Sequence, residues 1–457
     1  LYRLVELDKK ILFLGVGGIG VSALAIAAKK LGAIVAGYDS KPSKLTIRLE
    51  SLGVKVFSTP SEVRIKDYDM VVYSSAITDK HPLLAKALQL NIHCLHRAMF
   101  LAILMQDFKY SIAITGTHGK TTTSSVLATL LQQLNPTSSF VVGGVVKHTN
   151  SNIEINGTDD LIIEADESDA SFLHLNPTSI IVTNIDKDHM ATYKNSYDNL
   201  LKNFYVFLFK QSVEIIYLCI DDKGCQDLLG KYSFEGKKIT TYGFSNDADV
   251  KILTYQIEDN LTKFSIYYKQ LKLDFCTSLP GRYNVLNTTA GVVSCLDLGF
   301  KYDQIKKALE QVAGVARRFD TYTKTILSYT VQVIDDYGHH PVEVTNCLSA
   351  VKDKYPDKKI IHIFQPHRYS RNRDLFEDWP KALAVADKLI LLPTYSAGED
   401  IIYGATSLDL SKQLSNCILV EDFNQAISAL KNVIDENSIV LVQGAGDVTN
   451  LVEMLGE

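Results

Sequence analysis

The strongest chemical signal in this chain is a lysine set between glycines and hydroxyls, in the run GTHGKTT at 116–122. A short β-branched strand (Ile112, Ile114, Thr115) leads into it, and an amphipathic helical stretch follows to Leu134. Glycines at 116 and 119 let the backbone wrap an anion, and the N–H groups that open the next helix point at it. Lys120 offers a point charge to distal phosphates, and Thr121 or Thr122 a hydroxyl to Mg²⁺. Only Thr117 and His118 separate the two glycines, against four residues in the usual phosphate loop. Strand, loop and helix nevertheless come in the required order. The chain is expected to bind a nucleoside triphosphate.

Further chemistry lies on both sides of that loop. Near the start, the strand KKILFLG runs into GVGGIG, where Gly15, Gly17 and Gly20 match GxGxxG and Gly18 lies between them. A helix (21–31) and a strand ending on Asp39 complete the spacing of a dinucleotide site, with an acid for a ribose hydroxyl. A glycine turn serving packing alone is the other reading. Downstream, LIIEAD (161–166) reads as a buried strand with carboxylates at its C-terminal end. SIIVTNIDKDHM (179–190) likewise delivers Asp186, Asp188 and His189. Two such ends beside a phosphate loop suggest a place for Mg²⁺ to bridge phosphates, or else simple solvation. Asn284 and Asn287 lie three apart on one helical face, suited to a base edge, although Asn284 is equally suited to helix capping. In the last third, DDYGHHP, FQPHRYSR, YSAGED and QGAGD stand at strand ends. Arg317–Arg318 and Arg368 with Arg371 offer cationic hands for a phosphate or carboxylate, unless they are only solvated charge.

The elements that must position these groups follow a repeated βα pattern. The 457 residues exceed one ordinary domain. Boundaries are expected near 107 and 314, giving domains 1–107, 108–314 and 315–457. The fold class is α/β: two Rossmann-like open parallel sheets flank a central P-loop ATPase-type α/β domain. Its alternating stretch 237–280 (KKITTYGF, VKILTYQIE, FSIYYKQLKLDF) reads as a small antiparallel sheet. Apolar content of 46% and charged content of 22% fit a globular protein with ample core. A net charge of −5 argues against a broad nucleic-acid footprint, so anions need local cationic pockets. Seven scattered cysteines without a CxxC pair fit reduced thiols in a cytoplasmic protein. No apolar run approaches the ~20 residues of a membrane span. No secretory signal is visible, and because the chain starts at Leu1 a trimmed natural start is expected.

Taken in order, GTHGKTT, EADESDASF, TNIDKDHM, LPGRYNVLN, RRFD, DDYGHHP, FQPHRYSR and QGAG resemble the Mur ligases of peptidoglycan assembly almost end to end. GVGGIG, EADESDASF, DDYGHHP and FQPHR point to the alanine-adding branch. The resemblance implies an ATP-dependent ligase in the cytoplasm, a monomer or weak homodimer, taking UDP-N-acetylmuramate and L-alanine through an acyl phosphate, with no nucleic acid or membrane insertion. By correspondence Thr121, Glu164 and His189 would hold Mg²⁺, with Glu167 as a fallback. Residues 116–122 (Gly116, Thr117, His118, Gly119, Lys120, Thr121, Thr122), with Asn284 and Asn287, would hold ATP. Gly15, Gly17, Gly18, Gly20, Asp39 and Ser75 would bind the UDP moiety. Arg318 and Tyr337 would face the muramyl substrate and amino acid, and Lys120, His339, Arg368 and Arg371 would serve catalysis. The chain departs from the family at Ala191, Tyr283 and the run VVKHTNSN. A murein tripeptide ligase is the neighbouring alternative, against which FQPHRYSR speaks. A nicotinamide-dependent oxidoreductase would leave GTHGKTT idle.

Overall fold

The computed structural model describes residues 9–74 and 76–455 and contains three sheets. The first comprises β1 (Lys10–Leu14), β2 (Ile34–Tyr38), β3 (Lys55–Phe57), β4 (Met70–Tyr73) and β5 (His93–His96). They lie in the order β3-β2-β1-β4-β5, all parallel. An all-apolar strand such as ILFL is stable here because both faces are covered. Ile11 and Phe13 enter one hydrophobic cluster, Leu12 and Leu14 another. Strand order reverses between β1 and β4, which opens a crevice at the glycine loop that follows β1.

The second sheet contains β6 (Tyr110–Thr115), β7 (Ser139–Val146), β8 (Ser151–Glu154), β9 (Asp160–Glu164), β10 (Ser179–Val182), β11 (Ile215–Cys219), β12 (Lys238–Gly243), β13 (Val250–Glu258), β14 (Leu261–Tyr268) and β15 (Leu271–Thr277). Its order is β15-β14-β13-β12-β11-β10-β6-β9-β7-β8. β6 therefore runs between β10 and β9, parallel to both. The loop after β6 has a carboxylate-bearing strand end on each side.

One expectation for this sheet needs correction. The KKITTYGF strand, β12, is parallel to β11, and β13 starts parallel to β12 at Tyr242↔Val250. Thr240, Thr241, Tyr242 and Gly243 are buried in succession, so both faces of this strand are covered there, as is usual for parallel strands. The chain doubles back only beyond β13, at Asp259–Asn260 and Lys269–Gln270. All four residues have positive φ, as two-residue hairpins of this type require. β7 and β8, which were not foreseen, form an antiparallel hairpin that includes the unusual VVKHTNSN run. It docks on the first sheet's helices. Arg48 Nη2 donates to Ser151 Oγ at 2.9 Å, Asn152 Nδ2 donates to the Ile19 carbonyl at 3.1 Å, and Lys30 pairs with Glu154 at 2.9 Å.

The third sheet contains β16 (Asp320–Ile326), β17 (Tyr329–Asp336), β18 (Lys359–Phe364), β19 (Lys388–Leu391), β20 (Cys417–Leu419) and β21 (Ser438–Gln443). The order is β16-β17-β21-β18-β19-β20. The four expected strands, β17, β18, β19 and β21, are parallel, and β20, which was not foreseen, extends them in the same direction. β16 was not foreseen, and pairs antiparallel with β17 from Asp320↔Asp335 to Ile326↔Tyr329. Ile334, Ile360, Phe364 and Trp379 fill one face, and Val333, Ile361, Ile363 and Val440 the other. Tyr283, one of the departures from the family pattern noted in the sequence, packs against the first of these clusters.

Contacts divide the chain into two compact units. One is Leu1–Thr254 with Ser265–Phe275 and Leu286–Ala313, so it holds the first sheet and most of the second. The other is Tyr255–Phe264, Cys276–Val285 and Gly314–Glu457. Among the described residues, no helix is long and apolar enough to cross a membrane.

In the first unit, Asp222 caps the helix Lys223–Lys231 and ties it to the chain leaving β10. One carboxylate oxygen accepts both Cys225 N at 2.8 Å and Ile185 N at 2.9 Å. Asp222→Ala should destabilise this unit by about 2 kcal/mol through the lost cap and an unpartnered buried N–H. Thermal melts of the variant should fall by several degrees, with most of the loss restored in Asp222→Asn.

Candidate functional site

The phosphate loop is held in shape by its neighbour strand. Gly116 has φ 130°, and a methyl group there would lie 2.2 Å from Thr183 Oγ1. Only glycine fits. The chain leaving β10 then grips the loop at several points. Thr117 N donates to the Asn184 carbonyl at 3.1 Å and His118 N to Asn184 Oδ1 at 2.8 Å. The His118 carbonyl accepts from Thr183 Oγ1 at 2.6 Å and Asn184 Nδ2 at 2.8 Å. Asp186 N donates to Thr117 Oγ1 at 2.8 Å, and the Asp186 carboxylate meets His118 Nε2 at 3.2 Å. Asp186, expected near metal, thus stitches the loop. Thr183 and Asn184 were missed, although they lie inside the TNID run.

Gly119 caps the helix Lys120–Leu134, whose first N–H groups face the loop. Thr121 Oγ1 donates to Glu164 Oε1 at 2.9 Å, and Gly143 N donates to Glu164 Oε2 at 2.8 Å. Two of the three expected metal ligands are therefore in contact. His189, the third, lies on the loop after β10 with φ 53°, its ring 3.4 Å from Asp188. Thr122 is buried in the first turn of the helix. Ala191 is exposed on the turn beyond His189.

Lys120 is turned back onto the protein. Its Nζ is 2.7 Å from Glu167 Oε2, 2.6 Å from the Gly116 carbonyl and 3.1 Å from the Thr117 carbonyl. Burial opposes its charge, but Glu167, Asp166 and Glu164 outweigh that and raise its pKa. Burial pushes the Glu167 carboxyl up to about 7, against the pull of Lys120. Glu167 is thus the ion-pair partner of Lys120. Asn287 lies against the loop, its Oδ1 2.7 Å from where a side chain on Gly119 would begin. Asn284 sits inside the first turn of the helix Arg282–Asp297, with Nδ2 donating to the Pro280 carbonyl at 2.7 Å. That position is past the cap.

The first glycine loop has its own internal anion. Gly17 N donates to Asp39 Oδ2 at 2.7 Å and Lys41 N to Asp39 Oδ1 at 3.1 Å. A methyl group at Gly17 would lie 2.6 Å from that carboxylate. Gly15 lies against Ser74 at the end of β4, and Gly18 caps the helix Ile19–Lys30. Gly20, in its first turn, faces Arg97, which pairs with Asp166 at 3.1 Å and Asp169 at 3.5 Å. Arg97 was not anticipated. Ser75 lies outside the described residues.

In the second unit, the strand ends of the third sheet bring the remaining candidates together. Arg317 and Arg318 each place a guanidinium 5.1 Å from the centre of the Tyr337 ring. They then diverge. Arg317 donates to the Gly444 carbonyl at 2.7 Å, which makes it structural, whereas Arg318 approaches Glu343 at 3.7 Å. Glu343 Oε2 also accepts His339 N at 3.0 Å. His339 Nδ1 lies 3.1 Å from the Tyr337 carbonyl. Rings then run in sequence from His339 to His367 (5.8 Å) and from His367 to Tyr395 (5.4 Å, stacked). Arg371 Nη1 is 3.4 Å from His367 Nδ1, and Arg368, with φ 70°, donates its N–H to the Tyr395 carbonyl at 2.8 Å. Glu343, His367 and Tyr395 were missed, for motif spacing does not reveal which side chains meet across strand ends.

Burial lowers His339 to about 3, with Glu343 opposing and Arg371 adding to the shift. Burial with Arg371 and Arg368 lowers His367 to about 4, and burial alone accounts for His362 at about 3. These imidazoles are neutral at pH 7. Nδ1–H of His339 then donates to Tyr337, which leaves Nε2 as an acceptor. When unfolded, such groups take up protons near their ordinary pKa of about 6.5. Their contribution to stability is whole above about 6.5 and is lost as pH falls toward their folded values. The second unit should therefore melt at lower temperature at pH 5 than at pH 7, and His367→Asn should flatten that slope. Equal melting at the two pH values would contradict this.

Comparisons with known proteins agree along the whole chain. The profile of the Mur ligase family, catalytic domain, matches residues 10–109, that of the Mur ligase middle domain 114–295, and that of the Mur ligase, glutamate ligase domain 317–446. UDP-N-acetylmuramate–L-alanine ligase of Francisella philomiragia is 66% identical over 452 residues, covering 99% of this chain and 100% of that protein. Among solved structures, UDP-N-acetylmuramate–alanine ligase of Thermotoga maritima superposes with a TM-score of 0.80 at 28% identity, covering 98% of each chain. A murein peptide ligase of Psychrobacter arcticus shares the fold at a TM-score of 0.70 and 20% identity, again over 98% of each.

Proposed function

The chain belongs to the Mur ligase family, and from that premise we propose how its residues serve an ATP-dependent ligase that adds L-alanine to UDP-N-acetylmuramate in peptidoglycan precursor synthesis. The observation that carries the reading is the stitched phosphate loop with Lys120 beneath it in the first unit.

A carboxylate is a poor electrophile. Transfer of the ATP γ-phosphoryl group to the muramyl carboxylate gives an acyl phosphate, whose phosphate then leaves when the alanine amine attacks. In this reading, loop N–H groups and Lys120 hold the phosphates and neutralise charge that gathers in the transition state. Thr121 and Glu164 present a hydroxyl and a carboxylate within 2.9 Å, the hard oxygen donors that suit Mg²⁺, with His189 as a further ligand. Mg²⁺, when bound, screens the phosphate charge. Asn287 and Asn284 would lie toward the adenine.

Gly15, Gly17, Gly18, Gly20 and Asp39 would receive the UDP moiety at the crevice beside β1, with Ser75 nearby in sequence. Arg318, Arg368 and Arg371 would take anionic groups of the muramyl substrate and the alanine carboxylate, with Tyr337 as a stacking surface. His339 Nε2, neutral and unprotonated, is suited to accept a proton from the attacking amine. Seven free cysteines and the use of ATP support a cytoplasmic setting. The boundaries near 107 and 314 remain the proposed domain limits.

Oxygen-18 placed in the muramyl carboxylate tests the route. That oxygen attacks the γ-phosphorus and leaves with it, so one label should appear in each released phosphate. Unlabelled phosphate alongside normal product would exclude the acyl phosphate.

A further inference from the structure

The ammonium of Lys120 has three N–H groups and three protein acceptors: the Gly116 carbonyl, the Thr117 carbonyl and Glu167. None is left for a phosphate. Two of the acceptors belong to the loop that would enclose the phosphates, whereas Glu167 comes from the segment after β9. Glu167 is 3% exposed, and protein hydrogen bonds hold its backbone. The Tyr193 hydroxyl donates to the Glu167 carbonyl, as does Ala170 N at 3.0 Å. Around it, Ser168 N donates to Asp166 Oδ1 at 3.0 Å, and Thr192 Oγ1 to the Ser168 carbonyl at 2.7 Å. The carboxylate is thus held beneath the loop by a rigid turn, pinned from the DHMATY segment.

Stability alone is a weak reason for such a pair, because desolvating two ions offsets most of their attraction. A functional reason follows from the geometry. A distal phosphate that takes an N–H from Lys120 must displace one of the three acceptors, and Glu167 is the one that carries charge and lies outside the loop. We propose that Glu167 is a positioning residue that stands in for the distal phosphate, holding Lys120 in place until the nucleotide takes over its ammonium. Nucleotide binding then competes with the Lys120–Glu167 ion pair. This rests on the reading of residues 116–122 as the site of the ATP phosphates.

Calorimetric titration of the full chain with Mg²⁺ and a non-hydrolysable ATP analogue tests the competition. Glu167→Gln keeps the shape and removes the charge, so the analogue should bind about tenfold more tightly. AMP, which lacks the distal phosphates, should bind both proteins equally. In a Lys120→Ala background, the same glutamine substitution should change affinity by less than about twofold, because the ion pair is already gone. An equal gain in both backgrounds would show simple repulsion of phosphate by the carboxylate and would overturn the proposal. Unchanged or weaker binding by Glu167→Gln would overturn it too. If Lys120→Ala leaves affinity for the analogue unaltered, the phosphate reading of the loop fails instead. Should Glu167→Gln not fold, Glu167→Asp replaces it. Its shorter reach should give a smaller gain, and no gain would count against the proposal.

Discussion

The hydrogen bonds that tie the GTHGKTT turn to the end of β10 are the constraint on which the first unit depends. A glycine loop of this length has little internal structure, and its N–H groups must converge without help from a bound anion. Thr183, Asn184 and Asp186 supply that help by occupying the outward-facing groups of Thr117 and His118. Gly116 cannot become alanine because the stitching strand lies against it. β6 must be central, with β10 on one side and β9 on the other, for both Asn184 and Glu164 to reach the same turn. Sheet order and loop chemistry are one requirement.

Charge in the first unit is arranged around that turn. Lys120 meets Glu167, while Asp166 is drawn by both Lys120 and Arg97, and Arg97 lies beside the first glycine loop. Cations and carboxylates therefore alternate from the phosphate loop to the GVGGIG loop. An anion arriving at either end meets cations already paired, so binding exchanges partners and avoids leaving a buried charge alone. The third sheet solves a similar problem differently. His339 and His367 are buried beside arginines and stay neutral, which keeps the cationic character in Arg318, Arg368 and Arg371.

Much of this was legible from local sequence. Glycine spacing and apolar strand runs located β1, β6 and β9 and the loops after them, because those signals are set by residues adjacent in the chain. Strand direction was not. β12 was expected to be antiparallel yet pairs parallel with β11, since the residue pattern along one strand does not reveal the direction of its partner. β7–β8 and β16 were hidden because edge strands take their stability from what they dock against, such as Arg48 and Lys30 for the first pair. At the site, residue types with obvious chemistry were found. The residues that aim them, such as Thr183, Asn184 and Glu343, were not, because they act through contacts between segments distant in sequence.

The central claim is that one phosphate is released only when a sugar-nucleotide carboxylate and an amino acid are joined. Continuous measurement of phosphate release by the full chain with ATP, Mg²⁺, UDP-N-acetylmuramate and L-alanine tests it directly. The account predicts one phosphate per amide formed, with sustained turnover lost when either the sugar nucleotide or L-alanine is left out. Sustained release without UDP-N-acetylmuramate, or amide formation without stoichiometric phosphate, would contradict it.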